Sequence, residues 1–387
     1  MLYLRLGGKH FTVTLMEYFE LYRAALMQIE IQKLAFNKDD VKTNLNHAIQ
    51  LLDSVQVYGP VGKASRDRFA PIKLVCFPEY FLQGELFFHK SGFGPSVSEL
   101  NEKGAHIQIP GEETDKLAEK ALELDVYINC VALEYDPEWG DDLVFNTSFI
   151  IDPNGKVILK YRKIMPALHF ETAASPHDLL DEYVKKYGKG KSLLEVMFPV
   201  VETPIGKLGA IICMDGHFPE CFRALGVQGA EVIMRHGFMA SMIDPPSNIW
   251  EIQNRDAAWT NMCYVCAANI GLARDVPYPR GITGGDSMIV DFNGNIVARA
   301  PHPSETIVVG VIDIKTLRRR RLDPGRNFIA QLRNEVFREI YADTIYPPNL
   351  YLKPENRIQR IPDLHKRNVT YLGVVDKLIQ KRVYIKP

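Results

Sequence analysis

LGAIICMDGHFPECFRALGVQ, residues 208–228, runs from an apolar strand straight into a helix, with Cys213 at the junction. Residues 208–215 read as a buried strand, because an unbroken apolar run suits a sheet covered on both faces. Pro219-Glu220 opens the helix, since a proline in the first turn gives up an N–H that has no partner there. The pattern then repeats: strand AEVIMRHG at 230–237, a helix around 247–262 and strand CYVCAANI at 263–270. Alternating strands and helices predict an α/β fold with packed layers.

The flanking sequence agrees. Residues 39–55 show helical spacing of Val41, Leu45, Ala48 and Leu52, with Asp39 as the expected cap. IKLVCFPEY (72–80) is a short strand stopped by Pro78, EETDKLAEKALEL (112–124) an amphipathic helix, and VYINCVALEY (126–135) a strand. FNTSFIIDPNGKVILKYRK (145–163) and SMIVDFNGNIVARA (287–300) predict hairpins turning at Asn154-Gly155 and Asn293-Gly294. Asn-Gly tolerates the positive φ that a two-residue hairpin turn requires. These hairpins argue against a purely parallel sheet. Residues 11–34 are expected as a helix followed by a strand. No internal repeat of fixed period is visible. The expected organisation is an N-terminal extension (1–38), a main domain (39–330) and a C-terminal oligomerisation tail (331–387). The charged stretch 175–195, capped by Ser175 with Pro176 behind it, reads as a lid-like insertion.

Composition narrows the class. The 387 residues are 46% hydrophobic and 24% charged, with a net charge of −1, so a globular core is expected and a polyanion partner is not. The six cysteines lie mostly in apolar runs without a disulfide-framework spacing, which predicts a reducing compartment. Charges interrupt every apolar stretch before the ~18 residues that a membrane span needs. Glu17, Glu20 and Arg23 break what would be a signal-peptide core, so a cytoplasmic protein is expected.

Three ionisable residues stand where apolar strands stop: Glu79, Lys163 and Cys213. Open α/β sheets place ligands at such ends. A thiol needs a base to become a nucleophile near neutral pH, and a carboxylate can serve. An ammonium can hold the oxyanion formed when a carbonyl is attacked, with the Met214 backbone N–H as a second donor. The set suffices for acyl transfer through a thioester.

FPEY (77–80), YRK (161–163) and ICMDGHFPE (212–220) resemble, in order, the three motif regions of the nitrilase superfamily of carbon–nitrogen hydrolases. The resemblance covers roughly residues 39–330 and implies a four-layer αββα sandwich with a Glu79–Lys163–Cys213 triad. The aliphatic amidase and formamidase branch is more similar still. In YRKIMPALHFE (161–171) a glutamate follows the lysine by eight residues, and in that branch it orients the substrate; Glu171 would inherit the role. GAEVIMRHGFM (229–239) and WTNMCYVCAAN (259–269) match the branch too, and Tyr80, His236 and Gly237 would border the substrate. The branch has tryptophan where Ala167 stands, which implies a roomier pocket. It also implies a homo-oligomer built on a dimer, with C-terminal elements packed across the interface.

Other motifs favour bland readings. Cys263 and Cys266 form a C-x-x-C inside a predicted strand, where positions i and i+3 face opposite ways. The histidines lack metal-ligand spacing, and His217 and His236 are better pocket walls than zinc ligands; neither a metal nor a cofactor is expected. Arg318–Arg321 read as a solvated helix face or a subunit contact rather than a nucleic-acid patch. The expected function is hydrolysis of a small amide to acid and ammonia. A nitrilase is disfavoured because Met214-Asp215 stands where Trp-Glu is usual, and an N-carbamoyl amidohydrolase because His217 replaces an arginine. A non-catalytic scaffold is disfavoured by the intact residue set.

Overall fold

A computed structural model describes residues 2–6, 9–13, 19–62, 70–84, 94–168, 170–238, 248–274 and 283–386, with side chains described from residue 19 onward. Its strands are β1 (Leu2–Leu6), β2 (Lys9–Val13), β3 (Leu21–Gln28), β4 (Ile72–Cys76), β5 (Tyr127–Glu134), β6 (Phe145–Ile151) and β7 (Val157–Arg162). Then come β8 (Val200–Thr203), β9 (Gly206–Ile212), β10 (Val232–Gly237), β11 (Tyr264–Asn269), β12 (Met288–Val290), β13 (Ile296–Arg299) and β14 (Thr306–Asp313). One six-stranded sheet has the order β14-β3-β4-β5-β6-β7 and the other β13-β12-β11-β10-β9-β8. In each, three central strands run parallel: β3, β4 and β5 in the first, β9, β10 and β11 in the second. A hairpin closes one side and an antiparallel strand the other.

The alternation of side chains along β3 builds the layers. Ala24 and Leu26 face inward, into the same core as Ala210, Met234 and Cys266 of the second sheet. Ala25 and Met27 face outward, onto Val41, Leu45 and Ala48 of helix Lys38–Ser54 and Leu117 and Ala121 of helix Glu112–Leu124. Helices Pro219–Val227 and Ile249–Asn261 cover the second sheet through Phe222, Leu225, Ala257 and Ala258. The result is the four-layer αββα sandwich.

Both Asn-Gly hairpins form where expected, as β6–β7 and β12–β13. Several expectations change. The helix at 38–54 is capped by Asn37, not Asp39: the Asn37 side chain accepts from the N–H groups of Asp39 at 2.9 Å and Asp40 at 3.1 Å. Residues 11–13 belong to β2 and 21–28 to β3, while 14–18 of the expected helix lie outside the described residues. The expected boundary at residue 38 therefore falls after a strand integral to the sheet, because β3 pairs with both β14 and β4. Its apolar run lacks a helical or alternating period because the strand is buried on both faces.

The basic run also turns inward. Arg318 pairs with Glu231 at 2.6 Å, and Arg321 donates to the carbonyls of Met262 at 3.0 Å and Gly229 at 3.1 Å. Arg319 of the run stays exposed, as a solvated face would have it. In the stretch 175–195, Ser175 caps its turn as expected, accepting from the His177 N–H at 3.1 Å. Helix Leu180–Tyr187 then stacks Tyr183 on Trp139, with ring centroids 5.8 Å apart. In the C-terminal tail, Tyr351, Ile358 and Leu364 pack on Leu143, Phe145, Ala174 and Leu179 of the same chain, while Tyr341, Ile345 and Leu352 stay exposed.

Candidate active site

Three strand ends and one loop converge. Glu79 follows β4, Lys163 follows β7, Cys213 follows β9, and Glu171 lies on the loop after Lys163. Lys163 Nζ sits 2.7 Å from Glu79 Oε1 and 2.8 Å from Glu171 Oε2. Asn146, on β6, donates through Nδ2 to Glu79 Oε1 at 2.8 Å and to Glu171 Oε1 at 2.7 Å. The Ala167 N–H adds a bond to Glu171 Oε2 at 2.9 Å. All three charged groups are 1–2% exposed. Ions so deeply buried persist only when every charge is paired and hydrogen-bonded, and here they are.

Two carboxylates against one ammonium leave an excess negative charge, which separates the two acids. Burial and the neighbouring Glu171 charge hold the Glu79 carboxyl above its ordinary range despite Lys163. Burial also pushes Glu171 upward, but Lys163 and the bonds from Asn146 and Ala167 outweigh it and keep Glu171 low. Lys163 is raised well above an ordinary lysine, because Glu171 and Glu79 together overcome its burial. One acid is therefore poised to take a proton and the other to stay ionised, which is how paired carboxylates divide acid–base tasks.

Cys213 is the one partly exposed cysteine among the described residues. Burial pushes its thiol up to about 12, the Glu79 charge adds to that, and Lys163 opposes it. The thiol is therefore neutral at rest and would have to lose its proton to act as a nucleophile. Its φ of 44° is left-handed, a conformation that non-glycine residues hold only when the surroundings enforce it. Tyr80, next to Glu79, is left-handed too, with φ 59°. The enforcing contacts at Cys213 are visible. Asp215 accepts from the Ile212 N–H at 2.9 Å, the Met165 N–H at 2.9 Å and the Tyr161 hydroxyl at 2.7 Å. It thus ties the cysteine turn to the chain just after Lys163. Buried Arg235 reaches the Cys213 carbonyl at 3.3 Å and lies 4.3 Å from the Trp250 ring centroid. Gly216 makes room for it, since a Cβ there would meet the guanidinium carbon at 2.2 Å.

A sequence profile described as carbon-nitrogen hydrolase matches residues 23–322. The chain belongs to the carbon–nitrogen hydrolase family. Its relatives include formamidases, and its fold is that of solved members of the nitrilase superfamily. A formamidase of Bacillus cereus (strain Q1) is 27% identical over 279 residues, covering 72% of this chain and 70% of that protein. One of Bacillus thuringiensis (strain Al Hakam) is 30% identical over 229 residues, covering 59% of this chain and 58%, little more than half, of that protein. A Saccharomyces cerevisiae member of branch 10 of the nitrilase superfamily superposes with a TM-score of 0.53 at 23% identity, over 80% of this chain and 97% of that one. A mutant amidase from Nesterenkonia sp. AN1 in complex with butyramide gives 0.56 at 16% identity, over 82% and 96%. Another mutant of that amidase shows covalent addition of the acetamide moiety of fluoroacetamide at the active-site cysteine; it gives 0.56 at 16%, over 85% and 98%.

The remaining expected site residues of this carbon–nitrogen hydrolase are spread around that centre. Tyr80 is 4% exposed and meets Phe238 edge-on, with ring centroids 5.8 Å apart. Met214 lies in the turn 213–217 that carries the nucleophile. His236 is buried: its ring nitrogens bond the Phe77 carbonyl at 2.6 Å and Ser148 Oγ at 3.2 Å, and burial lowers it to about 4. It holds the backbone two residues before Glu79. Gly237 admits the Trp250 ring, which a Cβ would meet at 2.7 Å. His217 Nδ1 accepts from the Gln253 side-chain amide at 2.9 Å, and the ring faces a groove between helices Pro219–Val227 and Ile249–Asn261. The walls of that groove include none of Glu79, Lys163, Glu171 and Cys213. Asn146, Asp215 and Arg235 were not anticipated as site residues. Arg235 did leave a signal, as a charged residue directly after the apolar run of its strand, because a buried polar group needs partners.

Proposed function

We propose that this hydrolase converts a small aliphatic amide and water to a carboxylic acid and ammonia through a thioester on Cys213. The observation that carries the reading is Lys163 held between Glu79 and Glu171 beside a neutral thiol on a left-handed turn. Glu79 takes the thiol proton as Sγ bonds to the amide carbonyl carbon. An ammonium has three N–H donors, and two of those on Lys163 go to the carboxylates. The third, with the Met214 N–H, holds the oxyanion. Glu79 then delivers its proton to nitrogen, the C–N bond breaks and ammonia leaves. Water adds to the thioester with its proton passing to Glu79, the C–S bond breaks, the acid departs and Glu79 returns the proton to sulfur. Glu171, kept ionised, accepts from the substrate NH2 and so aims the carbonyl. The formamidase relatives and the cysteine adduct and butyramide complex of the Nesterenkonia amidase support this chemistry.

Ammonia release over a panel of amides, nitriles and N-carbamoyl compounds tests it. Turnover of amides with Cys213 labelled by fluoroacetamide is the expected result; turnover confined to nitriles or N-carbamoyl compounds overturns it. The assembly belongs to the same proposal: a homo-oligomer built on a dimer. Exposed Phe337, Ile340, Tyr341 and Ile345 support it, since apolar side chains in one stretch favour a covering partner. A monomer mass by light scattering at micromolar concentration overturns it.

A further inference from the structure

Arg367 lies in helix His365–Gln380, beyond residues 23–322 that the family profile matches. It is 5% exposed. Its Nη1 donates to the Glu171 carbonyl at 2.5 Å, and its Nη2 to the Ala173 carbonyl at 2.5 Å and the Tyr351 hydroxyl oxygen at 2.9 Å. A buried guanidinium survives only with such partners. The planar fork suits this task, because two N–H groups can meet two carbonyls at once, as a lysine ammonium cannot in the same geometry. The rest of the tail grips the turn and helix that follow this loop. The Asn349 N–H donates to the His177 carbonyl at 3.0 Å, and its side chain accepts from the Asp181 N–H at 2.9 Å. Tyr351, Ile358 and Leu364 pack on Ala174 and Leu179.

Glu171 is thus held from two sides. Lys163, Asn146 and Ala167 fix its carboxylate, and the tail fixes its backbone. Between Lys163 and Ser175 the described residues form no strand, and an isolated bridge joins Phe145 to Ala174. Sheet pairing therefore does little to set where Glu171 sits. We infer that Arg367 is a positioning residue for amide hydrolysis: it sets the place of Glu171 from behind and makes the C-terminal tail part of its own subunit's active site. The inference rests on the proposed role of Glu171 in orienting the substrate.

The test uses the full chain and whichever of formamide, acetamide and butyramide releases ammonia fastest. Arg367→Met should lower kcat ~10- to 100-fold through misplacement of Glu171, while the rate of Cys213 alkylation by iodoacetamide stays at the wild-type value. Arg367→Lys should recover part of the loss, and Tyr351→Phe should lose less than Arg367→Met. In a Glu171→Gln background, Arg367→Met should cost nothing further, because the group it positions no longer works; damage to the fold at large would multiply the two losses. A wild-type kcat for Arg367→Met beside a slow Glu171→Gln overturns the inference alone, as does full multiplication of the two effects. A wild-type kcat for Glu171→Gln overturns both the inference and the reading beneath it. If Arg367→Met does not fold, Arg367→Lys and Tyr351→Phe carry the same comparison.

Discussion

In the first sheet, β3, β4 and β5 run parallel, with the β6–β7 hairpin on one side and β14 antiparallel on the other; in the second, β9, β10 and β11 do the same between the β12–β13 hairpin and β8. The frames match and the chemistry does not. The first sheet supplies Glu79, Lys163 and Asn146, and Glu171 hangs from the loop after β7. The second supplies Cys213, with Arg235 on β10 behind it. One half is a closed set of charges that pair with each other before any substrate arrives. The other is a neutral thiol held in a left-handed turn. The contrast teaches that this fold separates the cost of burying charge from the placing of a nucleophile, and joins the two at facing strand ends.

The largest break in the comparison removes the second sheet's contribution. Cys213→Ala should lower ammonia release by more than ~10^4-fold, because triad members act as a unit. Alanine at Cys76, Cys130, Cys263 or Cys266, each buried away from the charges, should leave the chemistry in place, measured on the same amide. On the charged side, Lys163→Met leaves two buried carboxylates without their cation. Breaking a buried pair in this way costs about 3–5 kcal/mol, to be read from the urea unfolding midpoint. Glu171→Gln should leave the fold intact and the alkylation of Cys213 at its wild-type rate on the plateau above the pH limb, and slow amide turnover ~100-fold through lost positioning.

The smallest effect sharpens the division between the two acids. A carboxyl raised above 4.5, as Glu79 is, takes up its proton at a higher pH than usual. The base works only without that proton, so activity should rise with pH along a limb above the ordinary carboxylate range. Glu171→Gln removes the negative neighbour and leaves Lys163 to Glu79 alone, so the limb should move to lower pH. The pH profile of Cys213 alkylation by iodoacetamide reads this directly, and an unmoved limb would mean that the two carboxyls do not share a charge.

Much of this was legible in the chain. Asn154-Gly155 and Asn293-Gly294 specify turns through local backbone chemistry, so both hairpins fall where the residues indicate. The helix at 112–124 follows from its apolar spacing. Glu79, Lys163 and Cys213 stood out because each interrupts an apolar run at a strand end. β3 was expected only as an unbounded strand after a helix within 11–34, since burial on both faces erases the alternation that marks an exposed strand. The cap passed to Asn37 rather than Asp39 by a shift of two residues, and helix ends are where local signals compete most closely.

The sequence by itself determined the alternation of strands and helices and the two hairpins, because periodicity and turn chemistry are local properties; the αββα frame and the candidate reacting groups came from the resemblance of its motifs to a known family. Only the tertiary structure decided which carboxyl is raised and which is lowered, since that depends on Asn146 and Lys163 meeting both acids at once. It alone set His236 against the Phe77 carbonyl and brought Arg318 and Arg321 onto their own chain. It also brought Arg367 to the carbonyl of Glu171 across 196 residues. A side chain bonding a distant backbone carbonyl leaves no spacing in the sequence, because any exposed peptide unit can accept it and only packing selects which one does.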